Sequence, residues 1–322
     1  MRRAFACLIG VVAFLGTATT SRAQDGGLFL LFPFGARAVA MGEAVSADTA
    51  LGSEAVWWNA AALARMPHRE LALHHSTTLL ANSDMFTFVV PSRVIGTLAF
   101  SAYLVNYGDQ QATDPFSGQP TGTITNLNYL LMASYGTPVG KRLSIGVSYK
   151  FLMLRFACSG VCGNTPVLSG QTSALDVGAQ YSLPTPFPLS IGGSIRNIGP
   201  ALQVKDKPQA DGLPKIVQVG AMSRLPIPAL RDAGASLDVS ADVIHQTSTF
   251  GGTNFGVGAA LGYRDVYFLR AGYKQQEGEQ SGPSIGIGLL RGAFGLDLSR
   301  RFDRLSSTLG TPPTYITLRA AF

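Results

Sequence analysis

Charge is scarce in this chain: Asp, Glu, Lys and Arg make up 14% of its 322 residues, against about a quarter of an ordinary soluble domain. Beyond residue 23 no stretch approaches the roughly 18 consecutive apolar residues that a spanning helix needs, which excludes membrane insertion by helices. Cysteine and histidine are few, three and four. His68, His74, His75 and His245 stand in no ligand spacing, so neither a metal nor another cofactor is expected. A formal charge of +6 is no nucleic-acid signature. An enzyme is not expected either. The only conceivable catalytic nucleus is His74 and His75 with Asp84 nearby, and adjacent residues of a strand point to opposite faces.

What the chain does have begins at its first residues. Arg2 and Arg3 precede an apolar run from Ala4 to Gly16, and Ser21-Arg22-Ala23 supplies the small residues that suit signal peptidase. Residues 1–23 are therefore read as a signal peptide cleaved near Ala23, leaving 299 residues with a formal charge of +3. Cys7 leaves with it. Cys158 and Cys162 remain, with three residues between them, in an oxidising compartment where a disulfide is their expected state. Low charge without a spanning helix leaves an exported β protein with a large core, or a barrel whose apolar surface faces lipid.

Period-two alternation selects the barrel. From Arg69 onward about fourteen candidate strands follow one another, near 69–79, 85–91, 94–107, 122–136, 141–157, 170–182, 187–197, 214–225, 235–246, 255–263, 266–274, 282–290, 292–300 and 312–322. In the seventh, Leu189, Ile191, Gly193 and Ile195 alternate with Ser190, Gly192, Ser194 and Arg196; in the last, Ile316, Leu318, Ala320 and Phe322 share one face. Connections alternate too. The stretches 108–121, 158–169, 198–213, 247–254, 275–281 and 301–311 are long and polar, whereas those between them are mostly short, with Pro226 to Gly234 the exception. Long outer loops, short periplasmic turns and an even strand number describe a bacterial outer-membrane barrel of about 14 antiparallel strands. Its surroundings are outer-membrane lipid, and the terminal aromatic Phe322 is the expected signal for the barrel assembly machinery. Tyr103, Tyr107, Tyr135, Tyr149, Tyr263 and Tyr273 are candidates for interfacial girdles.

Residues 24–68 lack the alternation. Leu28 to Phe34 is apolar, Gly35 to Gly42 is rich in small residues, and Val56 to Leu63 reads as a short helix, so this segment is expected to be a partly helical plug inside the lumen, with residues 69–322 forming the wall. The alternation turns Asp176, Arg196, Asp238, Asp242, Arg270, Lys274, Asp297 and Arg319 inward, where they can pair with one another or anchor the plug. Facing lipid, an Arg or Lys would cost about 2–4 kcal/mol at the midplane.

These residues carry a resemblance. Gly35-Ala36-Arg37-Ala38 with Ala40-Met41-Gly42, then Trp58-Asn59-Ala60-Ala61 and Leu63, resemble the N-terminal motifs of the PorV/PorQ family, a branch of the FadL-like barrels. Ala60 stands where that family usually has proline, and Glu43 where it has a second glycine. Arg196-Asn197-Ile198-Gly199, Leu213-Pro214, Ala241-Asp242-Val243 and Leu269-Arg270-Ala271-Gly272-Tyr273 follow in the family's order. The resemblance implies a fourteen-stranded barrel with its N-terminal segment inside. It also implies a protein-binding or shuttle role, with type IX-like secretion components and cargo proteins as partners. The alternative is FadL-like passage of hydrophobic small molecules such as long-chain fatty acids, with Leu28 to Phe34 lining or gating the route.

Overall fold

The computed structural model describes residues 26–114, 116–162, 169–204, 210–247, 251–276 and 281–322. The expected signal peptide and its cleavage point lie outside the described residues.

Fourteen antiparallel strands close into a barrel. They are β1 (Glu70–Thr77), β2 (Asn82–Ser92), β3 (Gly96–Thr113), β4 (Pro120–Val139), β5 (Leu143–Gly160), β6 (Ser169–Ser182), β7 (Leu189–Ile198), β10 (Ile216–Arg224), β11 (Ala235–Gln246), β12 (Thr253–Tyr263), β13 (Tyr267–Gln275), β14 (Gly282–Arg291), β15 (Phe294–Arg301) and β16 (Thr314–Ala321). Two further short strands, β8 (Leu202–Val204) and β9 (Ala210–Asp211), form a hairpin in the loop after β7 and extend the edge of β6. The ring is completed where β1 pairs with β16, Glu70 opposite Ala321, and where β5 pairs with β6. The Phe322 amide donates to the Arg69 carbonyl, and its ring lies 6.3 Å from that of Phe88.

Burial alternates along the wall as the sequence does. Leu73, Phe100, Leu131, Ile191, Val257, Leu269, Ile287 and Leu318 all stand exposed on the outside. An apolar surface that encircles a molecule is foreign to a soluble monomer and is what a transmembrane barrel presents to lipid. No helix among the described residues is long and apolar enough to cross a membrane; the strands do the crossing. Turns such as 140–142, 264–266 and 292–293 lie at the same end as the start of β1 and the end of β16, and their shortness marks that end as the periplasmic one.

The wall has uneven height. β3, β4 and β5 run for 18, 20 and 18 residues, whereas β1, β15 and β16 have 8 each. The three long strands therefore continue outward as a ribbon beyond the band that lipid covers. Cys158 and Cys162 are joined by a disulfide at its outer end, their Cα atoms 6.1 Å apart.

Inside lies the N-terminal segment. It contains 3-10 turns at Leu28–Leu31, Gly52–Glu54 and Ala60–Arg65 and two short helices, α1 (Ala36–Ala40) and α2 (Ala55–Trp58). From Phe34 to Leu63 almost every residue is buried. α3 (Pro228–Asp232) occupies the long periplasmic turn between β10 and β11, and α4 (Arg304–Thr308) the outer loop before β16.

Candidate functional site

The plug is seated backbone against backbone, because the strands it touches carry glycine at the contact. A Cβ on Gly272 would lie 2.2 Å from the Gly42 nitrogen, one on Gly192 2.1 Å from the Ser46 oxygen, and one on Gly146 2.2 Å from the Ala60 carbonyl carbon. Real Cβ atoms do not approach so closely. The Gly-rich inner faces of the sequence thus have a steric cause, since a side chain there would push the plug off the wall.

Polar groups then fix its register. Asn59, the N-cap of the Ala60–Arg65 turn, accepts from the Ala61 amide and donates to the carbonyls of Ser46, Ala179 and Gly193 at 2.7, 3.2 and 3.3 Å. Ala60 follows it at the first helical position, one that tolerates proline as readily as alanine. The Trp58 indole donates to the Phe34 carbonyl at 3.0 Å, and Arg37 pairs with Asp48 at 2.8 Å. Gly35, at φ 80°, leaves room for the Glu54 carboxylate, which accepts from the amides of Arg37 and Ala38. Met41 and Leu63 are fully buried, and Gly42 sits at φ 63° against β12 and β13.

The inward-facing ions divide into two sets. Arg196, Asp242 and Lys274 hold the plug: Arg196 donates to the Trp57 carbonyl and stacks on Trp58, Asp242 accepts from the Ser46 amide, and Lys274 pairs with Glu43 at 2.6 Å. The others pair along the wall. Asp176 meets Lys150, Asp297 bridges Arg270 and Arg319, and Asp238 engages Arg224 near the periplasmic rim. The sequence reading missed Lys150 and Arg301 on the wall and Glu43, Asp48 and Glu54 on the plug. The alternation in β5 already put Lys150 on the same face as Ser148, so its signal was present. The plug carboxylates follow no period and had none.

Two plug carboxyls, outside the spanning strands, have displaced titrations. Burial opposes charge on Glu43, but Lys274 and Arg301 overcome it and hold the carboxyl below its ordinary range. Burial, followed by the charge of Asp297, pushes Glu54 up to about 7.

Tyr103 and Tyr107 correct one expectation. Both ring systems belong to the lumen rather than an interfacial girdle, because β3 points its odd-numbered residues inward at that height: Tyr103 packs on Phe29, Phe34 and Trp57, and Tyr107 on Phe32. They form part of an apolar sector. Met85 and Val89 on β2, Ala99 and Val105 on β3, Leu130 and Met132 on β4 and Leu152 on β5 face Phe29, Leu30, Phe34 and Trp57 of the plug in one continuous cluster. The bore thus carries its apolar cluster on the β2–β5 side, bordered by the buried Lys150–Asp176 pair, and most of its other buried ions on the opposite side.

At the outer mouth this sector meets a half-open cavity of about 350 Å³. Leu28, Leu31, Phe32 and Pro33 form one wall, and Leu79, Leu80, Leu305 and Pro313 line it from the loops; Lys274, Arg301 and Tyr315 reach it from below. His75 and Asp84, 2.7 Å apart, lie on the exterior, while His74 is buried between Ser53 and Thr317. No group of side chains among the described residues is arranged to hold a metal ion.

Barrel, seated plug and apolar-walled mouth together define the class: a plugged outer-membrane barrel of fourteen strands. Neither a family model nor a curated protein matches the sequence. Solved structures do match in fold. The toluene transporter TbuX of Ralstonia pickettii aligns over 91% of this chain and 100% of its own, with a TM-score of 0.58 and 15% identity. The toluene transporter TodX of Pseudomonas putida aligns over 89% and 98%, with a TM-score of 0.60 and 12% identity. A Pseudomonas aeruginosa FadL homologue aligns over 90% and 98%, with a TM-score of 0.52 and 13% identity. The chain shares the FadL-like barrel architecture with all three.

Proposed function

We propose that this protein is an outer-membrane channel for small hydrophobic compounds. One observation carries the reading: an apolar sector of the bore runs beneath the N-terminal segment Gly27 to Phe34 and is linked through Phe32 to a largely apolar cavity at the outer mouth, which Lys274, Arg301 and Asp303 also line. A molecule partitioning into that cavity leaves it inward along the apolar cluster of β2–β5 when the segment moves aside. The transporter titles of the structural neighbours agree with this direction.

The test is uptake by intact cells, whose lipopolysaccharide leaflet is the barrier to be crossed. Cells producing the protein are expected to accumulate labelled toluene, or a labelled long-chain fatty acid, faster than cells without it. Leu31→Glu, which places a charge in the mouth, should reduce the gain at least fivefold while the barrel still folds, judged by heat-modifiable migration. Equal uptake with and without the protein would reject the reading.

A second reading draws on the outward ribbon of β3–β5 and on the closed seating of the plug. Both suit a protein-binding component of the kind that the PorV/PorQ resemblance implies, with cargo engaged outside the membrane. Copurification from native membranes separates the two: secretion components or a cargo domain support this reading, and bound hydrophobic compounds without protein support the channel.

A further inference from the structure

Among the described residues, exposed cations are densest at the periplasmic rim. Arg65, Arg69, Arg93, Lys141, Arg142 and Arg291 stand exposed around it, and Arg224, Arg231 and Arg264 gather at the β10–β11 and β12–β13 turns. Against these nine cations the rim exposes two side-chain carboxylates, Asp232 and Asp265, with Asp238 taken up by Arg224. The chain from Gln24 onward carries only +3, so the cationic excess is concentrated at this one end.

The long turn that the sequence marks as exceptional, Pro226 to Gly234, builds a groove into that rim. Its volume is about 500 Å³, and Arg224, Pro226, Ile227, Arg231, Arg264 and Asp265 line it. Arg224 is neutralised by a two-pronged contact with Asp238 at 2.7 and 3.0 Å. Arg231 is held only loosely: its side chain is 83% exposed, and its contact with Asp232, itself 74% exposed, is a long 3.7 Å. The Arg264 guanidinium rests over the Tyr263 ring, 5.1 Å from its centre. Two guanidiniums on a half-apolar groove are suited to a phosphate, which each can meet with parallel donors. Their height on the barrel says where the phosphate comes from. Tyr263 and Tyr267 stand exposed beside the groove, the place of interfacial aromatics, and Leu261 and Leu269 continue the apolar wall above them.

We propose that the basic periplasmic rim binds the headgroups of anionic phospholipids in the inner leaflet, and that Arg231 and Arg264 frame its principal site. Each basic residue near an anionic membrane surface contributes about 1 kcal/mol, roughly a fivefold change in binding.

The experiment uses the full-length protein in micelles holding equal amounts of phosphatidylglycerol and phosphatidylcholine, with retained lipid counted by native mass spectrometry. Wild type should keep phosphatidylglycerol preferentially. R231Q/R264Q should lose that preference by roughly tenfold or more, and R155Q/R300Q, on the outer half of the barrel, should keep it. Equal retention of the two lipids by wild type overturns the proposal, as does a preference that R231Q/R264Q leaves intact. Displacement of the lipid by millimolar inorganic phosphate also overturns it, because the groove would then be a site for a soluble anion.

Discussion

Glu43 holds a left-handed backbone, φ 63°, at the position where the PorV/PorQ pattern has glycine. For a residue with a side chain that conformation costs roughly 1–2 kcal/mol. The cost is offset by its carboxylate, which meets Lys274 at 2.6 Å and Arg301 at 2.9 Å, all three buried. Removing one partner of a buried pair costs about 3–5 kcal/mol, because the other charge stays desolvated. Glu43→Gly should therefore weaken the seating of the plug although it relieves the backbone, and Glu43→Gln should weaken it too. Limited proteolysis checks this, with faster cleavage within residues 36–48 expected for both. A glycine variant as resistant as wild type would mean that the ions do not hold the segment.

At the scale of elements, the plug and the strands are matched by what the strands leave out. Gly272→Ala places a methyl against the Gly42 amide and the Met41 carbonyl carbon, 2.2 and 2.5 Å away. Backbone atoms on both sides cannot turn aside. The expected loss is about 2 kcal/mol or more, confined to the plug: the barrel should still assemble, while amide hydrogen exchange over residues 36–44 speeds up by tenfold or more. Unchanged protection there would contradict the close seating. The fourteen wall strands were legible because one face of each meets lipid and the other does not, so hydrophobicity carries the period of two. Where that contrast ends, so does the signal. β3 continues from Tyr107 to Thr113 and β5 from Ala157 to Gly160, through Gly108-Asp109-Gln110-Gln111 and Cys158-Ser159-Gly160, where both faces of the ribbon are wet. The β8–β9 hairpin was missed for a related reason, being too short to show any period. Charges on the wall were legible from phase; their partners on the plug were not, because 3-10 turns and five-residue helices leave no repeat to read.

For the whole molecule the decisive property is the division of the bore. Its β2–β5 side carries the apolar cluster covered by Phe29, Leu30, Phe34 and Trp57 and bordered by the Lys150–Asp176 pair, whereas the opposite side is cross-linked by Arg270, Asp297 and Arg319 and by the Glu43 ion pairs. The charged side keeps the plug in place, and on the proposed function the apolar side is the path beneath the segment nearest the mouth. The proposed channel would pass apolar molecules without passing ions. The most direct measurement records both on one preparation, full-length protein in a bilayer whose outer leaflet is lipopolysaccharide, following toluene flux and steady ionic current together. The account predicts a flux above that of the protein-free bilayer with the current at its baseline. A stepwise porin-like current, or no gain in flux, would contradict it.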